Sequence, residues 1–274
     1  MTLRKSPTTR RVDSFDALAE EYDTHFTNSV IGQAQRQSVW RETDRWFRLG
    51  QRILEINCGT GVDALHFAAR GIQVVACDAS AKMIKVAARR AEQSPYRHRV
   101  DLRVFPIEEM ARLNSGGAFD GVFSNFAGLN CVADLRCVAG DLAQLVRPGG
   151  KAVLCLFGRH CLWEITWYGL QGRWQKGFRR VGGKGVAAQL APGHMVFVQY
   201  PSVRAICREF APHFRLRHWK GVGITVPPSY LEPWAEKFAG LFRLAARVDP
   251  FLEGCPGFRA LADHVVLVFE RVKS

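Results

Sequence analysis

No two of the eight cysteines in this 274-residue chain form a C-x-x-C pair, which removes the commonest zinc and dithiol arrangements, and no metal site is expected. Several, Cys77 and Cys155 among them, fall in apolar runs, where a thiol reads as a small buried hydrophobe of a reducing compartment, so a cytoplasmic location is expected. No apolar run approaches the roughly 18 residues that a membrane span requires. No internal repeat or low-complexity tract interrupts the chain. Acid is scarce: 25 Asp and Glu stand against 38 Lys and Arg, a formal charge of +13. That balance suits nucleic acid, an anionic membrane, an acidic substrate or plain solubility. Residues 1–12 hold Arg4, Lys5, Arg10 and Arg11 with no acid, and read as a disordered basic tail; the stretch is too short and lacks the apolar face of a transit peptide. A hydrophobic content of 47% supplies a core, and the length fits one α/β domain with insertions.

What the chain does have is a pair of apolar strands that each end in a carboxylate. Ile53-Leu54-Glu55-Ile56 runs into Asn57-Cys58-Gly59-Thr60-Gly61, and Val74-Val75-Ala76-Cys77 into Asp78. The small-residue turn lets a ligand approach the backbone where a β-carbon would intrude. The second carboxylate can accept hydrogen bonds from both hydroxyls of a ribose. Gly59-Thr60-Gly61-Val62-Asp63-Ala64 satisfies G-x-G-x-x-A, so a dinucleotide site is one reading. Strands over 52–57, 73–78, 100–105, 119–126 and 152–157 alternate with helices over 62–69 and 81–92, the pattern of a parallel sheet. Leu145 to Lys151 reads as a helix end and tight turn. Helices are also expected over 13–22, 33–47 and 202–210, and strands over 215–223 and 263–272.

These residues resemble the class I S-adenosylmethionine-dependent methyltransferases, over about 15–272 and most closely over 52–157. The resemblance implies an α/β fold with a Rossmann-like seven-stranded sheet, mostly parallel with an antiparallel last strand, helices on both faces and an inserted substrate cap. It implies S-adenosylmethionine as cofactor, with Glu55, Asn57, Cys58, Gly59 and Gly61 around the methionine half. Asp78 and Ala79 would meet the ribose, Ser80 would cap the next helix, and Met83 would lie against the adenine. Pro106 occupies the usual place of the adenine-binding aspartate, which leaves that role to Ile107 or Glu108. Lid helices over 13–50 would bring Tyr22 over the cofactor, and Asn125 and Phe126 would stand beside the methyl group. Asn57 replaces a glycine of the family pattern, and asparagine is the next best residue at positive φ.

Insertions at about 158–195 and 227–262 fall on the carboxyl side of the sheet, where substrates bind; Asn130, Trp163 and Trp167 are the substrate contacts expected. In-line displacement from a sulfonium demands alignment and exclusion of water, and a base only for some acceptors. His160, just beyond the fifth strand, and His25, after the lid, are the candidate bases, while His264 reads as core. Asn125 is not followed by the Pro-Pro-aromatic run of nucleic-acid amino methyltransferases, which argues against nucleic acid as partner. A basic, aromatic segment over 163–178 could rest on an anionic membrane. The reading is methyl transfer to a small aromatic or lipophilic acceptor; an RNA-modifying enzyme and a noncatalytic protein of the same fold are the alternatives. The sequence sets no oligomeric state.

Overall fold

In the computed structural model, residues 7–182 and 185–273 are described. Helix α1 (Pro7–Leu18) opens the chain, with proline in the first turn where its missing N–H costs nothing. Of the disordered tail expected over 1–12, residues 7–12 are helical instead, and 1–6 lie outside the described residues. The reason is Arg11, which is buried and donates to the Cys131 carbonyl at 3.1 Å and to Glu108 at 2.8 Å. A charge that reads as solvated is held by partners about a hundred residues away. After a π turn, Asp23–Thr27, helix α2 (Val30–Trp46) starts at Ser29, whose hydroxyl accepts from the Gly32 amide.

The alternation that follows is β1 (Arg52–Ile56), α3 (Val62–Ala69), β2 (Gln73–Asp78), α4 (Ala81–Glu92), β3 (Val100–Val104), β4 (Phe119–Ser124), α5 (Leu135–Leu145) and β5 (Val146–Phe157). Then come α6 (Leu162–Leu170), α7 (Trp174–Gly177), a hairpin of β6 (Val186–Ala191) and β7 (His194–Val198), α8 (Val203–Phe210), β8 (Phe214–Val222), α9 (Glu232–Lys237), α10 (Ala239–Leu252) and β9 (His264–Arg271). The seven-stranded sheet has the order β3-β2-β1-β4-β5-β9-β8. Strand β9 runs antiparallel to both neighbours, and the pairs from β3 to β5 are parallel, as expected.

Alternation along β1 builds the core on both faces. Leu54 and Ile56 enter a cluster with Phe210 and Phe269, while Ile53 joins Phe67 and Phe123 on the other side. Each large side chain fully buried in this way contributes about 1.5–3 kcal/mol. Strand order reverses between β1 and β4, which opens a crevice at their carboxyl ends. The two insertions and the hairpin stand over that crevice. Trp163 and Trp167 pack with Ile31, Leu231 and Phe242, and the Trp163 indole donates to the Thr225 carbonyl at 3.1 Å. They are the core of the cap rather than its inner lining, because helical spacing alone cannot say which face of α6 turns inward. Among the described residues no helix is long and apolar enough to cross a membrane, and no cluster of His, Cys, Asp or Glu could hold a metal.

Candidate active site

The turn after β1 is shaped by three residues at positive φ: Asn57 at 55°, Gly59 at 53° and Gly61 at 75°. The glycines serve different ends. A β-carbon on Gly59 would meet nothing within 4 Å, so its face is open space, whereas one on Gly61 would come within 2.9 Å of the Ala87 side chain. Gly61 thus lets α3 and α4 approach, and Gly59 leaves room for a ligand. Asp78 ties the turn to the next: one carboxylate oxygen accepts from the Gly59 amide and the other from Ser80, both at 2.9 Å. Burial pushes Asp78 above its ordinary value, and the two amides only partly offset it. Each oxygen still has a lone pair to offer. Ser80 caps α4 by accepting from Met83 at 3.0 Å. The lid is fastened to the same turn, since Thr60 donates to Asp23 at 2.8 Å and Arg90 pairs with Asp23.

A first cavity lies on this turn. Its walls include Tyr22, Asn57, Gly59, Asp78, Ala79, Ser80, Met83, Asn125 and Phe126, joined by Arg11, Val12, Phe15 and Gly128. It encloses about 70 Å³, well short of the roughly 300 Å³ of an ordinary ligand cleft. Arg11, Val12 and Phe15 bring helix α1 to its wall. The Asn57 side-chain amide is buried in this wall with no hydrogen-bond partner among the described residues, which fits a site built to receive a polar group. The Asn125 side chain is already committed: its amide donates to Asp63 at 3.0 Å and its carbonyl accepts from the Phe126 amide at 2.9 Å.

Five expected contacts stand outside these walls. Glu55 is buried beneath the turn with one oxygen unpaired; burial and then Asp63 push its carboxyl well up, with Arg36 opposing. Cys58 and Gly61 face the packing side. Ile107 is core, next to Met110, and Glu108 is held by Arg11 at 2.7 Å, both on the 3₁₀ turn that follows Pro106.

A second cavity of about 390 Å³ adjoins the first across Phe15, Tyr22 and Phe126, which line both. Most of its wall is apolar: Leu18, Phe26, Phe157, and Leu190, Val196 and Val198 of the hairpin. One end is polar and ordered. There Arg180, 4% exposed, donates to Glu164 and Asp263, both at 2.8 Å, and to the Asp263 carbonyl at 2.9 Å. Arg179 holds Glu164 from the other side at 2.6 Å. His264 is buried beside them, stacked on Phe157 at 4.6 Å and edge-on to Phe126 at 5.5 Å. Its Nδ1 lies 3.3 Å from the Asp263 carboxylate but out of hydrogen-bonding alignment. Burial holds His264 below its ordinary value, with Asp263 opposing and Arg180 adding to the effect, so it is neutral at neutral pH.

The histidines and the amide expected at the substrate are placed differently. His160 is half-buried in the turn after β5 and lines neither cavity. His25 does reach the rim of the second cavity but is exposed and bonded to Glu21 at 3.3 Å. Asn130 is fully buried, donating to the Gln199 carbonyl at 2.7 Å and accepting from Phe157 at 2.9 Å, so it joins the hairpin to β5 instead of facing substrate. Desolvation pushes the Tyr22 phenol up to about 12, which excludes it as a base at neutral pH. The Glu164, Arg180, Asp263 and His264 group was missed by sequence reasoning. Its one visible sign is Asp263-His264 at the head of an otherwise apolar strand.

Residues 53–150 match the family described as a methyltransferase domain. Similar curated proteins include a demethylmenaquinone methyltransferase from Renibacterium salmoninarum, 32% identical over 152 residues that cover 52% of this chain and 56% of that protein. The tRNA 5-carboxymethoxyuridine methyltransferase of Escherichia coli strain K12 is 30% identical over 153 residues, 54% of this chain and 58% of the relative. The chain thus spans little more than half the length of the curated relatives it matches. Among solved structures, the DhpI–SAH complex superposes with a TM-score of 0.60 at 14% identity, covering 98% of each chain, a likeness of fold. Over residues 53–150, therefore, this chain carries a methyltransferase domain.

Proposed function

We propose that the protein transfers the methyl group of S-adenosylmethionine to a small, lipophilic acceptor. The observation that carries this reading is the pair of adjoining cavities that share Phe15, Tyr22 and Phe126: one has the Asp78 carboxylate in its wall, the other an apolar wall with a polar end. When bound, the cofactor supplies an electrophilic methyl on a sulfonium. The chain's own residues do the rest. Asp78 would accept from the ribose hydroxyls, the open face of Gly59 and the side-chain amide of Asn57 would receive the polar chain, and Met83 would help hold the base. The shared aromatic residues exclude water and set the line of approach. His264, neutral and beside Asp263, takes the acceptor's proton, and Asp263 steadies the imidazolium that forms. The name of the demethylmenaquinone relative supports a lipophilic acceptor, and eight free thiols support a reducing, cytoplasmic setting.

An RNA acceptor draws support from the net charge of +13 and from the name of the tRNA-modifying relative. Against it, most of the wall of the second cavity is apolar, which suits a lipophilic acceptor better than a polyanion. Incubation with labelled S-adenosylmethionine and either hydroxylated aromatic compounds or tRNA separates the readings. Label is expected in the small acceptors, at a rate insensitive to salt. Label in tRNA alone, with steep salt dependence, would reverse the assignment.

A further inference from the structure

We infer that the outer face of α10 seats this protein on an anionic lipid surface. The helix divides its residues by face. Inward, Phe242 packs against the cap, and Asp249 accepts from the Ile224 and Thr225 amides at 2.8 and 2.6 Å. Glu253, just beyond the last turn, is buried against Lys220 at 2.7 Å. Both acids of this segment are thus turned inward and partnered. Outward stand Leu241, Leu244, Val248 and Phe251, exposed by 54%, 57%, 38% and 78%. On a helix of 100° per residue these four fall within about 80° of one another. Arg243 and Arg247, both exposed, border that stripe, and exposed Phe238 prolongs it beyond the helix start.

A contiguous apolar stripe left open on a surface marks a contact. The occupant follows from the charge. A second copy of this chain would bring Arg243 and Arg247 and a net +13 against the same charges, which repel. An anionic bilayer takes the apolar side chains into its acyl boundary and the guanidinium groups onto its phosphates, the arrangement of an interfacial amphipathic helix. The segment 163–178, for which such a contact was one reading, turns Trp163 and Trp167 into the cap and leaves Leu170, Trp174 and Phe178 exposed without the continuous helix of α10. Immediately before α9, Pro228, Ser229 and Tyr230 line the second cavity, so a seat on α10 holds that part of the cavity wall near the lipid. The seat itself does not depend on what the acceptor is.

The test is sedimentation of the full chain with vesicles of phosphatidylcholine alone and of phosphatidylcholine with phosphatidylglycerol. Partition onto the anionic vesicles is expected to exceed that onto the neutral ones by about tenfold or more. It should fall about tenfold in Leu241→Glu/Phe251→Glu and again in Arg243→Glu/Arg247→Glu, with circular dichroism unchanged, because all four positions are exposed. Equal binding to both vesicles, or no loss in either variant, would overturn the assignment. So would a dimer in sedimentation equilibrium that the Leu241→Glu/Phe251→Glu change dissolves while vesicles bind nothing.

Discussion

Replacing Arg180 by methionine removes the cation at the polar end of the second cavity and tests whether that group is wired as described. Arg180 donates to the Gly158 carbonyl at 3.3 Å, the Asp263 carbonyl at 2.9 Å, and the Glu164 and Asp263 carboxylates at 2.8 Å each. Glu164 keeps Arg179 after the change, so the damage concentrates on Asp263, left with Gln35 at 3.2 Å and His264. Breaking a buried pair from one side costs about 3–5 kcal/mol, a large part of the roughly 5–15 kcal/mol by which a domain is stable. The pH dependence has a definite sign. Burial pushes Asp263 up, and His264 and Arg180 more than reverse it, so its carboxyl sits below the ordinary value. In the parent that contributes stability above about pH 4, lost as pH falls through the folded value. Without Arg180 the carboxyl shifts up, and the folded variant is penalised more as pH rises. Urea unfolding followed by tryptophan fluorescence is therefore expected to show a larger gap between parent and variant near pH 8 than near pH 5. Arg180→Met/Asp263→Asn should regain much of the loss, since removing both partners of a buried pair is often close to neutral. A deficit under about 1 kcal/mol, the size of an exposed pair, or one that ignores pH, would refute the reasoning.

Asp78→Ala should weaken binding of S-adenosylhomocysteine about a hundredfold, the value of two charge-assisted hydrogen bonds, while Asp78→Asn, which keeps one acceptor, should cost nearer tenfold. Titration calorimetry reads both, and affinities within about threefold of the parent would contradict the ribose assignment. Asn130→Ala should lower stability by about 2 kcal/mol through its two lost bonds and leave cofactor affinity unchanged; denaturant unfolding and calorimetry together check it. His264→Gln should cut turnover about a hundredfold, and His160→Gln should leave it within about twofold; the reverse pattern would return the role to His160.

The cofactor side of the molecule was legible in the sequence because its signals are local. The turn from Asn57 to Gly61 must be small and left-handed, Asp78 must end its strand, and Ser80 must precede Met83 by three residues to cap the helix. Helix α3, strand β2 and helix α4 carry the bounds that period and capping residues give them. What stayed hidden depends on partners distant in the chain. Arg11 finds Glu108, Arg180 finds Asp263, and Asn130 finds Gln199. None of these pairs leaves a spacing pattern, so Arg11 read as tail and Asn130 as a substrate contact. The hairpin of β6 and β7 was equally invisible, since its apolar residues read only as the interior of an insertion. His264 was assigned to core packing, and it is buried, but the same position also lines the second cavity.

The central claim is that the crevice at the ends of β1, β2 and β4 takes an S-adenosyl group. Calorimetric titration of the full chain with S-adenosylhomocysteine, and separately with NAD and NADP, tests it most directly. Saturable binding of the first at about micromolar affinity, with no heat from either dinucleotide, is the result expected. Binding of a dinucleotide in its place, or of none of the three, would contradict it.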